Sequence, residues 1–482
     1  MTILRSAAAV LPFVFFSADA CASTHDHLFA NTFEKPADAP ATVAEAVRFL
    51  QQATFGATPS DVNRVMAVGR KEWLDEQMGL PATTGFAKVQ SIVNARTADT
   101  VNHPGVGQAQ RINRWLYQSA YAPDQVRQRM AYALSQIFVV SDQSSALSQD
   151  VVPMTAYYDL LTRDAFEYYR VVLNDVTYSP TMGKYLNAFH NLKPTFKSVS
   201  GVQTQITSPD ENYAREVMQL FSIGLVELNL DGSPNGANVA TYDQTVITHT
   251  AKIFTGFTYS DAPNGTSPNF YGGGVNFTTQ SAPMACWGTE LFSYDNSNMR
   301  HDITDDNGKL AGSKTVLDGH TIPANQDCDA DVADELDIIS GHPNVAPFIS
   351  RLLIQRFVTS NPSPAYLSRV ATVFKNSSGD LGDTLIAILT DTEATTPPAL
   401  AAGDTYGKLR EPLLRLTTVW RALGATPPPP DAYGEVQMNA GTNFLSAFGQ
   451  GPLEAPTVFN FYSPDYQQPP TFVAKNKDSP EF

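Results

Sequence analysis

Apolar residues recur every three or four positions through most of this chain, and nothing with a strand period alternates with them. In "ATVAEAVRFLQQATFG" Val43, Val47 and Leu50 share one face. "TPSDVNRVMAVGRKEWLDEQM" places Val62, Val65 and Met66 before Gly69, and Trp73 and Leu74 after it, which predicts two short helices. In "DQVRQRMAYALSQIFVVSD" Val126, Met130, Ala133, Leu134, Ile137 and Phe138 form a 3.6-residue stripe. Val345, Phe348, Leu352 and Gln355, with Ile349, Leu353 and Phe357, make a wide apolar face further on. No βαβ alternation and no repeat of fixed period appears. The pattern predicts a mainly α fold: a single large helical domain with an irregular, loop- and hairpin-rich insertion.

That insertion is expected over residues 226–330. Its "FTYSDAPNGTSPNFYGGGVNFTTQSAPMACWG" is dense in turn formers, with aromatic residues that need something to pack on. One helix, "TVITHTAKIFTGF", interrupts it. The predicted divisions are a signal peptide at 1–20, a linker at 21–40, the domain at 41–467 and a tail at 468–482.

Charged residues make up 17% of the chain, below the usual ~25%, which suits an exported protein with long ordered loops. The net charge of −16 argues against a nucleic-acid partner and against anionic lipid surfaces. Arg5, the apolar "SAAAVLPFVFF" and Ala18-Asp19-Ala20 read as a signal peptide, which implies a periplasmic or extracellular protein. The apolar run is too short to span a bilayer, so no transmembrane segment is expected after signal removal. Cys21 follows directly, and a lipoprotein anchored through it is the alternative. With Cys21 lost or lipidated, Cys286 and Cys328 remain. An oxidising compartment would pair them in a disulfide, and two buried thiols are the alternative. No C-x-x-C spacing supports structural zinc or redox catalysis.

The stretch "SPDENYAREVMQLFSIGLVELNLDG" (208–232) carries the most concentrated signals. Ser208, Pro209 and Glu211 read as N-cap, N1 and N3 of a helix. Tyr213, Val217, Leu220 and Phe221 fall on one face, and Asn212, Arg215, Glu216 and Gln219 on the other. Gly224 is the expected terminator.

"ENYAREVMQLFSIGLVELNLDG", "TYDQTVITHTAKIFTGFTY", "RHDITDD", "TVLDG", "HPNVAPFISRLLIQRFVTSNPSPAYLSRVATVF", "REPLLRLTTVWRAL" and "APTVFNFYSPDY" follow in order. This set resembles the bacterial exported family known as domain of unknown function 1800, over roughly residues 42–467. The resemblance implies a largely helical exported protein without an established activity. It also implies a working partner, an exported sulfatase-like protein encoded nearby. Many relatives carry a histidine-bearing segment where this chain has "ALSQIFVVSD", so no role for that histidine carries over. Relatives continue past a "PEF"-like segment, which leaves the tail after 468 as a candidate truncation.

No G-x-S-x-G, H-E-x-x-H or Walker loop is present. Two functions follow as expectations. The first is a partner or maturation factor for the sulfatase-like protein. The second is a hydrolase of extracytoplasmic glycan or a related polymer, with Glu211, Arg215, Glu216, His301 and Asp302 as candidate catalytic residues. In that reading Glu211, Glu216, His301 and Asp302 line one cleft as acid and base, or hold a divalent metal. Asn212, Tyr271 and Trp287 are candidate binding residues, the two aromatics as a sugar-stacking platform. Ordinary structural duty is the competing reading for each: loop hydrogen bonds for His301 and Asp302, core packing for the aromatics, and a solvated helix face for Asn212, Arg215 and Glu216.

Overall fold

The computed structural model describes residues 36–200, 202–262, 270–287, 301–307, 312–396, 406–439 and 441–461. The signal peptide, Cys21, most of the 21–40 linker and the 468–482 tail lie outside the described residues. In chain order the helices are α1 (Val43–Ala53), α2 (Pro59–Val68), α3 (Arg70–Met78), α4 (Phe86–Ala98), α5 (Gln108–Tyr121), α6 (Gln125–Ser135), α7 (Val151–Arg163), α8 (Tyr169–Thr177) and α9 (Pro180–Tyr185). They continue with α10 (Asn212–Gln219), α11 (Gln244–Ile253), α12 (Phe277–Ser281), α13 (Cys328–Gly341), α14 (Val345–Phe357), α15 (Pro364–Asn376), α16 (Leu381–Thr390), α17 (Thr392–Thr395), α18 (Pro412–Ala422) and α19 (Phe444–Phe448). Among the described residues three antiparallel two-stranded ribbons also occur: β1 (Thr195–Val199) with β2 (Val202–Thr207), β3 (Phe257–Thr258) with β4 (Ala285–Cys286), and β5 (Lys314–Thr315) with β6 (Thr321–Ile322). The fold is mainly α. No helix among the described residues is long and apolar enough to cross a membrane.

Local rules account for many of the boundaries. Thr42 caps α1 by accepting from the Glu45 N–H, and Thr58 with Pro59 at N1 starts α2 in the same way. Gly69 separates α2 from α3 at φ +90, a left-handed value that glycine adopts without strain. The face of α1 differs from the predicted one. Ala46, Phe49, Leu50 and Ala53 are buried, while Val43 is 57% exposed. The described residues leave Val43 open, and the apolar stripe, set by the neighbours of α1, is rotated from the simple count.

α6 lies deepest. Every residue from Gln125 to Ser135 except Arg127 is buried, including the polar Gln128 and Arg129. One apolar core runs from Ala46 on α1 to Leu453 near the C-terminal end. Chain ends are tied into it by buried arginines. Arg421 on α18 donates to the carbonyls of Gly56 and Ala120, and Arg111 on α5 pairs with Asp142 and donates to the Pro452 carbonyl.

The β1–β2 ribbon was not expected from the sequence. Most of its described side chains are exposed, so no buried alternation announced it. It also displaces the start of the next helix. Ser208 does not cap α10; its hydroxyl meets the Gln205 side chain instead. Asp210, held by Asn191, accepts from the Asn212 N–H, and α10 begins there. α10 ends at Gln219, before the expected terminator; Gly224 closes the turns that follow, at φ +71 with its N–H on the Met218 carbonyl, and a Cβ there would meet the Phe348 ring.

One side chain makes three hydrogen bonds to the segment around Gly224. Asn344, 2% exposed, donates to the carbonyls of Ile223 and Val226 and accepts from the Leu228 N–H, at 2.8, 2.7 and 2.7 Å. Asn344→Ala leaves three backbone groups without these partners, and should cost about 2–4 kcal/mol. Chemical denaturation checks this; an unchanged midpoint would show that the segment is held by other means.

Candidate functional site

Cationic side chains converge where α1, α6, α14 and α18 meet. Arg48 comes from α1, Arg129 from α6, Arg356 from the last turn of α14, and Lys408 and Arg410 from the segment leading into α18. They line a cleft of about 380 Å³, within the usual size range of small-ligand sites. Phe357, Val358 and Leu414 supply its apolar wall.

The cations gather here because a helix ends here. The free carbonyls of α14 accept from them: Lys408 Nζ donates to the Gln355 and Arg356 carbonyls at 3.0 Å each, and Arg129 Nη2 to the Arg356 carbonyl at 2.5 Å. The negative end of the helix dipole favours positive charge at this place. Arg129 also lies 4.7 Å over the Phe357 ring. Arg48 donates to the Thr395 carbonyl and Arg410 to the Gln51 carbonyl.

One carboxylate stands inside the group. Glu411 has no exposed surface and sits just before α18. It accepts from Lys408 Nζ at 2.9 Å, from the Tyr132 hydroxyl at 2.7 Å and from Gln136 Nε2 at 2.9 Å. Burial alone would raise its pKa, but Lys408 and Arg129 overcome that and hold it below the ordinary carboxylate range. The cations pay the converse cost. Burial, reinforced by Arg129 and Arg356, lowers Lys408 despite Glu411, and burial followed by Arg129 brings Arg410 down to about 10. Among the described residues Arg48, Arg129 and Arg410 pair with no carboxylate. Arg129 is 1% exposed, and its Nε and Nη1 have no acceptor among the described residues. Among the described residues the cleft therefore gathers more positive than negative charge, a feature that favours an anion.

The residues singled out from the sequence are distributed differently. On α10 the polar set splits. Glu211 pairs with Arg215 at 2.8 Å and accepts from Gln244 and Thr248, a surface network of little energetic weight. Asn212 is half-buried and contributes its N–H to Asp210. Glu216 does not lie on a solvated face: it is 9% exposed and its Oε2 has no partner among the described residues. Burial pushes its carboxyl up to about 7, against the pull of Arg215. The charge of Glu216 also bears on Tyr185 and Tyr242, whose own pKa values burial raises first.

His301 and Asp302 have no exposed surface and belong to a separate cluster. His301 Nε2 meets Asp331 Oδ2 at 2.9 Å, and Lys314 pairs with the same oxygen. His301 Nδ1 lies 3.1 Å from the Thr255 carbonyl. Asp302 Oδ1 accepts from the Thr304 N–H and hydroxyl. Gly256 makes room for this loop. At φ +92 its N–H reaches the Asn191 carbonyl and its own carbonyl accepts from Trp287; a Cβ would lie 2.5 Å from the Trp287 carbonyl oxygen. Cys286 and Cys328 are joined by a disulfide beside His301. Glu211, His301 and Asp302 are thus held by different partners, Glu216 is buried apart from them, and His301 and Asp302 are sealed from solvent.

The aromatic pair is partly open. Tyr271 is 55% exposed, and Trp287 is half-buried with its ring 5.6 Å from the fully buried Phe270. Tyr271 packs edge-on against His190, whose pKa burial lowers to about 4.

A family model described as protein of unknown function (DUF1800) matches residues 48–482, and the chain belongs to that family. No curated protein matches the chain, and no solved structure does.

Glu216 yields a signed pH effect. Its folded pKa, about 7, is above the ordinary glutamate value, so the folded state binds more protons between about 4.5 and 7. The stability linked to that proton is present below the ordinary value and is lost as pH rises through 7. Glu216→Gln cannot lose it. The variant should therefore gain on the wild type between pH 5 and pH 8, by on the order of 1 kcal/mol when one pKa unit is ~1.4 kcal/mol. Denaturant midpoints at the two pH values check this, and parallel curves for the two proteins would refute it.

Proposed function

We propose that this member of the DUF1800 family is a non-catalytic binding protein whose cationic cleft takes a compact oxyanion, a carboxylate, sulfate or phosphate group carried by a larger molecule. The observation that supports the reading is the charge imbalance: Arg48, Arg129, Arg356, Lys408 and Arg410 line one cleft, with Glu411 paired to Lys408 beside it, in a chain whose net charge is −16. A cluster so opposed to the rest of the molecule has to be maintained against burial, as the lowered pKa values of Arg129, Lys408 and Arg410 record. An arginine fork matches the planar oxygens of a carboxylate or the faces of a sulfate.

This reading accommodates the partner expected from the resemblance. An exported sulfatase-like protein handles sulfate esters, and a cleft that holds a sulfate-bearing molecule would serve as its accessory. The N-terminal signal sequence would bring the chain to the same compartment. The hydrolase reading keeps one observation in its favour: a buried carboxyl at about 7, Glu216, has the protonation behaviour of a general acid.

Titration calorimetry with sulfate, inorganic phosphate and glucuronate, at matched ionic strength, tests the proposal. At least one should bind. Arg410→Gln and Arg48→Gln, each verified as folded by circular dichroism, should weaken it about tenfold, equivalent to ~1.4 kcal/mol. Affinity should fall at high pH sooner than an ordinary lysine would dictate, because Lys408 is lowered. No binding of any of the three anions, or binding indifferent to both substitutions, would overturn it.

A further inference from the structure

Three ligand-bearing side chains from distant parts of the chain meet beside Thr255. The Cys286 and Cys328 sulfurs and one nitrogen of His301 all lie within 4.8 Å of one another. The Thr255 carbonyl oxygen lies beside all three, 3.4 Å from Cys286 Sγ, 3.5 Å from Cys328 Sγ and 3.1 Å from His301 Nδ1. His301 Nδ1 therefore faces the sulfurs, while Nε2 is turned away to Asp331 Oδ2 at 2.9 Å.

Asp331 stands where a metal site needs it. A ligating imidazole commonly donates its second N–H to a carboxylate, which sets the ring orientation and makes the free nitrogen a better ligand. Asp331 has no exposed surface, and Lys314 holds the oxygen that meets His301. His301 and Cys328 are fully buried and Cys286 half-buried, so an ion would be shielded from competing water. Two thiolates and an imidazole are the donor set of thiophilic divalent ions. The metal grouping expected from the sequence, Glu211, Glu216, His301 and Asp302, shares only His301 with this one.

We propose that, once the Cys286–Cys328 disulfide is reduced, Cys286 Sγ, Cys328 Sγ and His301 Nδ1 form a binding site for Zn2+ or a like ion, with Asp331 as the carboxylate that positions His301. A dithiol reductant supplies two electrons and two protons to the S–S bond, giving two thiols, and is itself oxidised to a disulfide. The ion then displaces the two thiol protons and leaves two thiolates bound to it. The Thr255 carbonyl or a water takes the fourth position. The same 42-residue separation is thereby cross-linked in either redox state, by sulfur–sulfur bonding or through the ion.

The site was invisible to spacing rules because Cys286 lies in β4, His301 further along the chain and Cys328 at the first position of α13, with no C-x-x-C among them. The test uses the full chain, oxidised or reduced, incubated with one equivalent of Zn2+ or Co2+ and desalted. Elemental analysis should find one zinc per reduced chain and none per oxidised chain. The reduced cobalt form should show a thiolate-to-cobalt charge-transfer band and intense tetrahedral d–d bands. Cys286→Ser, which keeps Cys21, should lose those bands. His301→Ala should weaken cobalt at least tenfold, and Asp331→Asn should weaken it ~10–100-fold with the thiolate bands preserved. Equal zinc in the oxidised and reduced chains, cobalt bands that survive in Cys286→Ser, or affinity unchanged in His301→Ala would each overturn the proposal.

Discussion

The buried carboxylate of Glu411 is the contact on which the meeting of the main helices depends. It joins α6 through Tyr132 and Gln136 and the C-terminal region through Gln450. Its partner Lys408 in turn caps the carbonyls of α14. Arg410, beside it, reaches the carbonyl of Gln51 on α1. A carboxylate without counter-charge would not be tolerated in this position, and neither would Lys408 without Glu411. The charges hold one another in place, and the cleft is what remains where the positive side is in excess.

A second junction anchors the irregular part of the chain. Thr255 and Gly256, just past α11, bind on several sides at once. The Thr255 hydroxyl donates to the Lys252 carbonyl and accepts from the Asp302 N–H, and its carbonyl faces His301 and both cysteines. Neighbouring residues of α11 reach elsewhere: Thr250 donates to Glu335 on α13, and Lys252 pairs with Asp306. The insertion thus gains its order from a helix end and a disulfide, where its own short ribbons would be too small to stand alone.

Much of the frame was legible in the sequence, for reasons that can be named. The break at Gly69, the stripe on α6 and the face of α14 all follow from local rules. The Cys286–Cys328 disulfide agrees with the pairing expected once Cys21 is set aside. Where local rules failed, a neighbour had intervened. Asp210, fixed by Asn191, replaced Ser208 at the start of α10, and the surroundings of Glu216 buried a residue that helical periodicity placed in water. The cationic cleft could not be read at all. Arg48, Arg129, Arg356, Lys408 and Arg410 come from four separate segments, and each looks like an ordinary surface charge until the helices pack.

The most direct test of this account is Glu411→Gln, followed by denaturation with and without sulfate at constant ionic strength. Removing one member of a buried pair should cost about 3–5 kcal/mol, because Lys408 and Arg129 lose their counter-charge. Sulfate entering the cleft should restore part of that loss in the variant, and restore more there than it adds to the wild type. A variant as stable as the wild type, or one whose lost stability sulfate leaves untouched, would contradict the central claim that Glu411 and an incoming anion neutralise the same set of cations.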